Sequence, residues 1–483
     1  MRRWKGIVLS IGLMHGVLAQ SDPFNAPIYP ERLHEDLAVL HRVIDEVHPD
    51  PYRYRSHEAL NALFDSLELA IRVPMPAEAF AQVLLPVLEA VGDMHLRVDL
   101  PRTFEEHVDA RVPLLPLDVR VVDGRILVEN EPKGFRSFTP GVRILSINGI
   151  SDVEILDRMR SVVVGDGANT TYAVRVIERD FRHLYFLHVE RPREFHIRYE
   201  DLDGLAMETT IFGMTGSEIK SSTRPDGVPL LPWAAQWLPE VSTEWVTMRT
   251  LDLDTLMAEG QVPEKFLAAL LRDLRRNNAR TLVLDVRGAG GRDLGVAEQV
   301  FGAIAKAPYR MVQDIGVRCL ELPEGIHWED ERKDHFATAR ARFPRQSADV
   351  FWLWAKDERL TEMPVAKRAF QGTVYIVCDG STRDASAALV MLGKRTGRAK
   401  VVGEEVGTNA TSFTGGRDLV AIAPNSGLRY TVPLMRYMPE GVVSGPPDHG
   451  EMPHRTAAWL AYGTATGRDS VKEALLMMIA ELQ

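Results

Sequence analysis

The feature that most narrows the fold is an alternation between about residues 240 and 403. Short runs that are apolar along their whole length take turns with amphipathic ones. Thr281-Leu282-Val283-Leu284-Asp285-Val286 and Gly372-Thr373-Val374-Tyr375-Ile376-Val377-Cys378 lack the polar–apolar alternation of a strand with one wet face. Trp245 to Met248 and Lys400-Val401-Val402-Gly403 read as further strands. Pro263 to Arg276 reads as a helix with Phe266, Leu270 and Leu271 inward, and Ala385 to Leu392 as a second helix. Buried strands separated by helices predict a largely parallel sheet covered on both faces, an α/β core.

The remaining sequence sets other patterns around this core. Leu33, Leu37, Leu40, Ile44 and Val47 recur at helical spacing, and His48-Pro49-Asp50-Pro51 stops that run. Ser56 is placed to cap a second helix, and residues 77–91 give a third, so 20–110 is expected to be helical. Residues 111–213 change character. Leu117 to Val121 alternates, Asp123-Gly124 marks a hairpin, and Pro140 to Gly149 is a turn, a buried strand and an Asn-Gly turn. This predicts a small β-rich module. Residues 240–483 form the core, with the polar stretch 321–368 read as an insertion over it. At roughly 150 residues per domain, the 483 residues fit about three such units.

The N-terminus opens on Met1-Arg2-Arg3-Trp4-Lys5, followed by a short apolar run from Gly6 and the small-residue ending Val17-Leu18-Ala19. Residues 1–19 therefore read as a secretory signal peptide, and the protein is expected to be exported, periplasmic or extracellular. The run is too short to span a bilayer and no later run is long enough, so stable membrane insertion is not expected. Losing residues 1–19 removes Arg2, Arg3 and Lys5 and changes the net charge from −10 to −13. Without a basic excess to neutralise phosphates, nucleic acid is not an expected partner. Cys319 and Cys378, the only cysteines, allow at most one disulfide and no four-cysteine zinc site. The fourteen histidines show no metal-ligand spacing and no phosphate loop is present, so no metal or cofactor is expected.

Two turns could carry chemistry. Arg287-Gly288-Ala289-Gly290-Gly291-Arg292 leaves a buried strand, and glycines there let backbone N–H groups approach an oxyanion. Asp379-Gly380-Ser381-Thr382-Arg383-Asp384-Ala385-Ser386 leaves another strand and enters a helix whose N-terminus favours negative charge. Both also serve as plain structural turns, the second with Ser381, Thr382 and Asp384 as helix caps.

Taken in order, these segments resemble the tail-specific or C-terminal processing serine peptidases, including their tricorn-core relatives. Gly92-Asp93-Met94-His95-Leu96-Arg97 resembles the family's G-D-G-H-T element, and Pro140 to Gly149 a strand of its PDZ-like module. Leu282 to Gly291 resembles its L-I-x-D-L-R-x-N-G-G segment, and Gly397 to Glu405 its G-R-A-x-x-V-G-E segment. Pro424 to Leu428, Pro433 to Tyr437 and Pro447-Asp448 resemble its closing stretch. The resemblance implies a crotonase/ClpP-like α/β core with an N-terminal helical region and a PDZ-like module, mixed α and β overall. It further implies hydrolysis of a peptide or protein substrate by a serine nucleophile. His95 would be the base and Glu440 the supporting acid, with Gly290, Gly291 and the Ala385 N–H as oxyanion donors.

Counting back from Gly397-Arg398-Ala399, the family's nucleophile falls on Asp384. A carboxylate there cannot form the usual acyl-enzyme and opposes an oxyanion. A slip of the alignment by two residues would substitute Ser386, and Ser381 is a further candidate. The lysine used in the processing branch is absent, because Asn409 stands at that place. Two readings follow: an exported serine-type peptidase acting through His95 and Ser386, or an inactive relative that binds a peptide or apolar ligand in the same cleft.

Overall fold

A computed structural model describes residues 26–222, 230–330 and 333–482. The segment read as a signal peptide lies outside them. The fold is mixed α/β and is organised on three sheets.

The central sheet has six strands in the order Arg455–Thr456, Lys400–Gly403, Thr373–Cys378, Thr281–Asp285, Thr243–Met248 and Trp233–Leu238. All neighbours are parallel except the antiparallel edge strand Trp233–Leu238. Successive side chains of a strand point to opposite faces, and here both faces are covered. Leu282, Leu284, Val374, Ile376 and Val401 enter the large apolar cluster on one face. Val283, Tyr375, Val377 and Val402 pack with Val471, Leu475 and Ile479 of the C-terminal helix Ser470–Glu481 on the other. That is why these strands read as unbroken apolar runs.

Helix Pro263–Arg276 has the expected bounds, but Leu267, Leu270 and Leu274 are its buried residues. Phe266 and Leu271 are only partly buried and pack on the flank, which corrects the inward set expected from sequence by a small rotation. Helix Asp384–Arg395 follows strand Thr373–Cys378 and is buried over most of its length.

The second sheet is antiparallel, seven-stranded and built around the long pair Phe413–Ile422 and Arg429–Pro439. Sequence patterning did not anticipate it. The polar stretch 321–368 is more than a cover over the core. It contributes strands His327–Trp328, Arg345–Ser347 and Val350–Trp352 to this sheet. Strand Arg97–Asp99 pairs with Arg429 to Thr431. The N-terminal helices Pro30–Glu46, His57–Ala70 and Ala77–Val91 join the large apolar cluster through residues such as Leu40, Phe64 and Leu84. Ser56 caps the second of them, accepting the Ala59 N–H.

The third sheet combines strands Asp118–Val122, Arg125–Asn130, Arg143–Ile147, Glu194–Glu200 and Ala206–Phe212. Asp123 and Gly124 both take positive φ, as a tight hairpin turn requires. The region is less purely β than its sequence suggested. Helices Asp152–Arg160 and Thr171–His188 pack on the sheet around a separate apolar core containing Ile144, Ile177 and Phe181. Cys319 and Cys378 are both buried and unpaired, so no disulfide staples these parts together.

Leu284 sits at the centre of the parallel sheet with 1% exposure, whereas Leu69 is 66% exposed. Leu284→Ala is expected to cost about 2–5 kcal/mol by denaturant unfolding. Leu69→Ala is expected to stay within about 0.5 kcal/mol of the parent.

Candidate functional site

The site begins with the loop after helix Ala77–Val91. Gly92 ends that helix at φ 64, and a β-carbon there would meet the Tyr54 ring at 2.9 Å. Asp93 then organises the turn. Its Oδ1 accepts the His95 N–H at 2.8 Å, and its Oδ2 accepts from Thr414 Oγ1 at 2.6 Å and from His48 Nε2 at 2.9 Å. His48 Nδ1 accepts the Asp50 N–H, which leaves the ring proton of a neutral His48 on Nε2, facing Asp93. Asp166 reaches in from the third-sheet region and accepts the N–H groups of Met94 and Asn409. His95 is thus fixed from several directions before its ring makes any contact.

The ring meets Asp384. His95 Nε2 lies 2.7 Å from Asp384 Oδ1, and both side chains are buried. Asp384 is the first residue of helix Asp384–Arg395 and holds φ 56, a left-handed conformation that aspartate tolerates better than most residues. The Asp384 N–H donates to Thr408 Oγ1 at 2.8 Å, and Arg383 Nη1 donates to Asp384 Oδ2 at 2.9 Å. A carboxylate at a helix N-terminus is also favoured by the helix dipole. On its other side His95 Nδ1 lies 3.9 Å from Asp418 Oδ1. Gly415 closes over the pair: a β-carbon there would lie 3.3 Å from His95 Nε2 and 3.5 Å from Asp384 Oδ1.

The charges follow from this arrangement. Burial opposes an imidazolium at His95, but the Asp384 carboxylate, with Asp418 and Asp93 behind it, outweighs burial and pushes the pKa up to about 10. Burial would raise Asp384, but His95, Arg383 and the Gly291 amide hold it below the ordinary carboxylate range. Asp93 is likewise held low despite burial, chiefly by His48. Asp166 is pushed up to about 6 by burial and by Asp93. The centre of the site at neutral pH is an imidazolium clasped by carboxylates, and such a histidine has no lone pair with which to take a proton.

The residues singled out from sequence fall into two groups. His95, Asp384 and Gly291 come together. Ser386 does not join them. It is fully buried and its hydroxyl donates to the Gly290 carbonyl at 3.2 Å. The Asp384 carboxylate is turned to His95 and the Ser386 hydroxyl to the Gly290 carbonyl, so the two side chains do not share one contact. The Ala385 N–H donates to the Gly291 carbonyl at 3.0 Å and is not open to an oxyanion. Glu440 pairs with Arg310 at 2.7 Å. It lies five residues beyond Met435, the partner of Gly415, which is roughly 16 Å along an extended strand. Asn409 helps hold the loops together, its amide donating to the Tyr54 hydroxyl and the Pro447 carbonyl.

Sequence reasoning missed Asp418, Arg383, Thr408 and the His48–Asp93–Thr414 group. Asp93 stood within the quoted Gly92-Asp93-Met94-His95 element and could have been found there. Asp418 carries no local signal, because its approach to His95 depends on the register of an antiparallel strand.

An apolar groove of about 680 Å³ is lined by Met94 and Leu96, the two chain neighbours of His95, and by Tyr172. Val98, Phe104 and Val176 line it further along.

His95 contributes stability that is complete below about pH 6.5, the value for a free imidazole, and that fades as pH rises toward about 10. Asp384 contributes the opposite limb: its share is present above the ordinary carboxylate range and is lost as pH falls below it. NMR titration of the His95 imidazole is expected to show it still protonated at pH 8. In Asp384→Asn the midpoint is expected to fall by more than one unit.

The sequence profile of Peptidase family S41 matches residues 255–442. No curated protein matches the chain. Among solved structures, mature CPAF superposes with a TM-score of 0.63 at 13% identity, covering 94% of this chain and 97% of that one. Mature CPAF complexed with lactacystin gives a TM-score of 0.65 at 13% identity, over 94% and 98% of the two chains. These likenesses extend the shared fold across all three sheets, while the sequence match falls on the central and antiparallel ones. The strand–turn–helix units that carry Gly290-Gly291 and Asp384 lie inside the matched segment, so the part of the chain that is similar to Peptidase family S41 is the part that builds this site.

Proposed function

We propose that this protein is an exported S41 relative that binds an extended peptide or protein segment in the groove beside His95 and does not cleave it. One observation carries the reading: a carboxylate, Asp384 Oδ1, sits 2.7 Å from His95 Nε2 at the place where the family resemblance puts the nucleophilic serine. Serine attack needs a hydroxyl and a neutral base. The position offers an anion and a protonated imidazole instead. The Gly291 amide is turned toward that anion and the Ala385 N–H toward a carbonyl, so neither waits for a tetrahedral oxyanion.

Binding asks for less than catalysis does. The apolar groove, about 680 Å³, has the size and lining of a ligand site. Strand Arg97–Asp99 runs along it with one edge paired to Arg429–Thr431. An extended segment could lie against the remaining edge, with alternate side chains in the groove. Export follows from the pattern of residues 1–19, and no described helix is long and apolar enough to cross a membrane.

The wild-type protein is expected to leave casein and fluorogenic peptides intact and to resist labelling by a serine-directed fluorophosphonate. Asp384→Ser removes the anion, releases the Gly291 amide and lowers the His95 pKa, so it is expected to gain phosphonate labelling at residue 384. Hydrolysis by the wild type that Ser386→Ala abolishes would overturn the proposal. Fractionation is expected to place the chain, shortened after Ala19, outside the cytoplasm.

A further inference from the structure

A second cavity, about 650 Å³, lies against the antiparallel sheet. Its wall includes Gly416, next to the Gly415 that closes over His95 and Asp384, and Tyr437, whose hydroxyl fills the space a Gly416 side chain would need. Residues 292–295, just beyond the Gly290-Gly291 turn, form another wall. The 321–368 stretch supplies the far wall, and with it Arg342 and Arg359; Arg417 joins them from strand Phe413–Ile422.

The pairing of these arginines is uneven. Arg359 is held by Asp357 through two nitrogens, and Arg417 by Asp334 at 2.8 Å. The half-buried Arg342 guanidinium has no hydrogen-bond or ion-pair partner among the described residues. It meets the ring of its neighbour Phe343, at 5.9 Å, and is attracted across space by Asp357 and Asp334, whose hydrogen bonds go to Arg359 and Arg417. Burial and the repulsion of Arg359 and Arg417 lower its pKa from the usual arginine value. A guanidinium drawn out of water beside two others is a costly arrangement unless an anion completes it.

The acids of the cleft do not complete it. Asp252 and Asp254 are drawn to Arg292. Asp293 accepts the Gly295 N–H at the start of helix Leu294–Gly302. Burial and Asp293 push Glu298 up to about 7, so it carries only part of its charge at neutral pH. Glu358 is exposed.

We propose that Arg342, flanked by Arg359 and Arg417, is the subsite that recognises a carboxylate on the bound peptide. This rests on the peptide-binding reading above and names its substrate class: a segment with apolar residues for the first groove and an acidic group for the second. The carboxylate could belong to a Glu or Asp side chain or to the peptide's own C-terminus. Arg342 offers both the same planar fork of donors.

Matched short fluorescein-labelled peptides test the assignment by anisotropy: Glu against Gln at one position, each with a free and an amidated C-terminus. A charge-assisted contact predicts about tenfold tighter binding by the peptide carrying the recognised carboxylate. Arg342→Gln is expected to abolish that preference while keeping the affinity for the neutral peptide, and Arg342→Lys to keep part of it. Preference for Glu over Gln identifies a side-chain carboxylate, and loss of preference on amidation identifies the terminus. Equal binding of all four peptides, or a preference that survives in Arg342→Gln, overturns the subsite and leaves peptide binding standing. Failure of every peptide to bind overturns the reading beneath it as well.

Discussion

The contact between His95 and Asp384 is the constraint on which the rest of the site depends. Two side chains 289 residues apart in the sequence meet at 2.7 Å in a buried place. Neither would be tolerable there alone. An unpaired buried carboxylate or imidazolium is expensive, and removing one partner of such a pair typically costs about 3–5 kcal/mol. Asp384 adds a left-handed φ of 56, a conformation that surrounding structure must hold in place. That structure is visible: Thr408 takes its N–H, Arg383 takes its second oxygen, and the helix Asp384–Arg395 begins directly behind it.

The same scaffold explains what an aspartate changes. A turn from a buried strand into a helix projects the first helical residue at the sheet's edge, where the helix N-terminus stabilises negative charge. With serine there, that field would act on a charge formed during reaction. With aspartate it acts on a permanent one. Gly291, close enough to help lower the Asp384 pKa, is spent on the same charge. His95 is drawn to its protonated form by the field that in a peptidase would be used only transiently. On the binding reading proposed above, one carboxylate takes the place of the nucleophile, the free base and an oxyanion donor together.

Legibility from sequence follows how local each interaction is. The parallel strands could be read because both of their faces are buried, which leaves an apolar run with no competing pattern. Ser56 and the Asp123-Gly124 turn could be read because capping and tight turns are decided by a few neighbouring residues. The long antiparallel pair could not. Strand Phe413–Ile422 is interrupted by Gly415-Gly416 and shifts register between Gly415 and Asp418, and Pro433 interrupts its partner. The strands of the 321–368 stretch pair over only two or three residues, too few for a period to show. In the site, His95 and Asp384 were reachable because each lies in a local motif. Ser386 is set aside by its own place on the helix, where its hydroxyl is turned to the Gly290 carbonyl. Asp418 was out of reach because only the completed sheet brings it to the imidazole.

The third-sheet region is coupled to this centre by charge as well as by packing. Thr171, at the start of helix Thr171–His188, donates to the Glu405 carbonyl, and its own carbonyl lies 2.3 Å from where a Gly380 side chain would begin. Arg175 of the same helix binds Glu404 through two nitrogens, and Glu404 Oε2 in turn accepts the Gly380 N–H in the turn that leads to Asp384. Burial would lower the Arg175 pKa, but Glu178 and Glu404 more than offset it. The helix also provides Val176 and Leu184 to the apolar groove, whose other walls come from Leu88 of an N-terminal helix and from Leu96 and Val98 beyond His95. The groove is therefore a property of the assembled chain and of no single part. Arg175 and Glu404 thus tie a wall of the groove to the turn that sets Asp384 against His95.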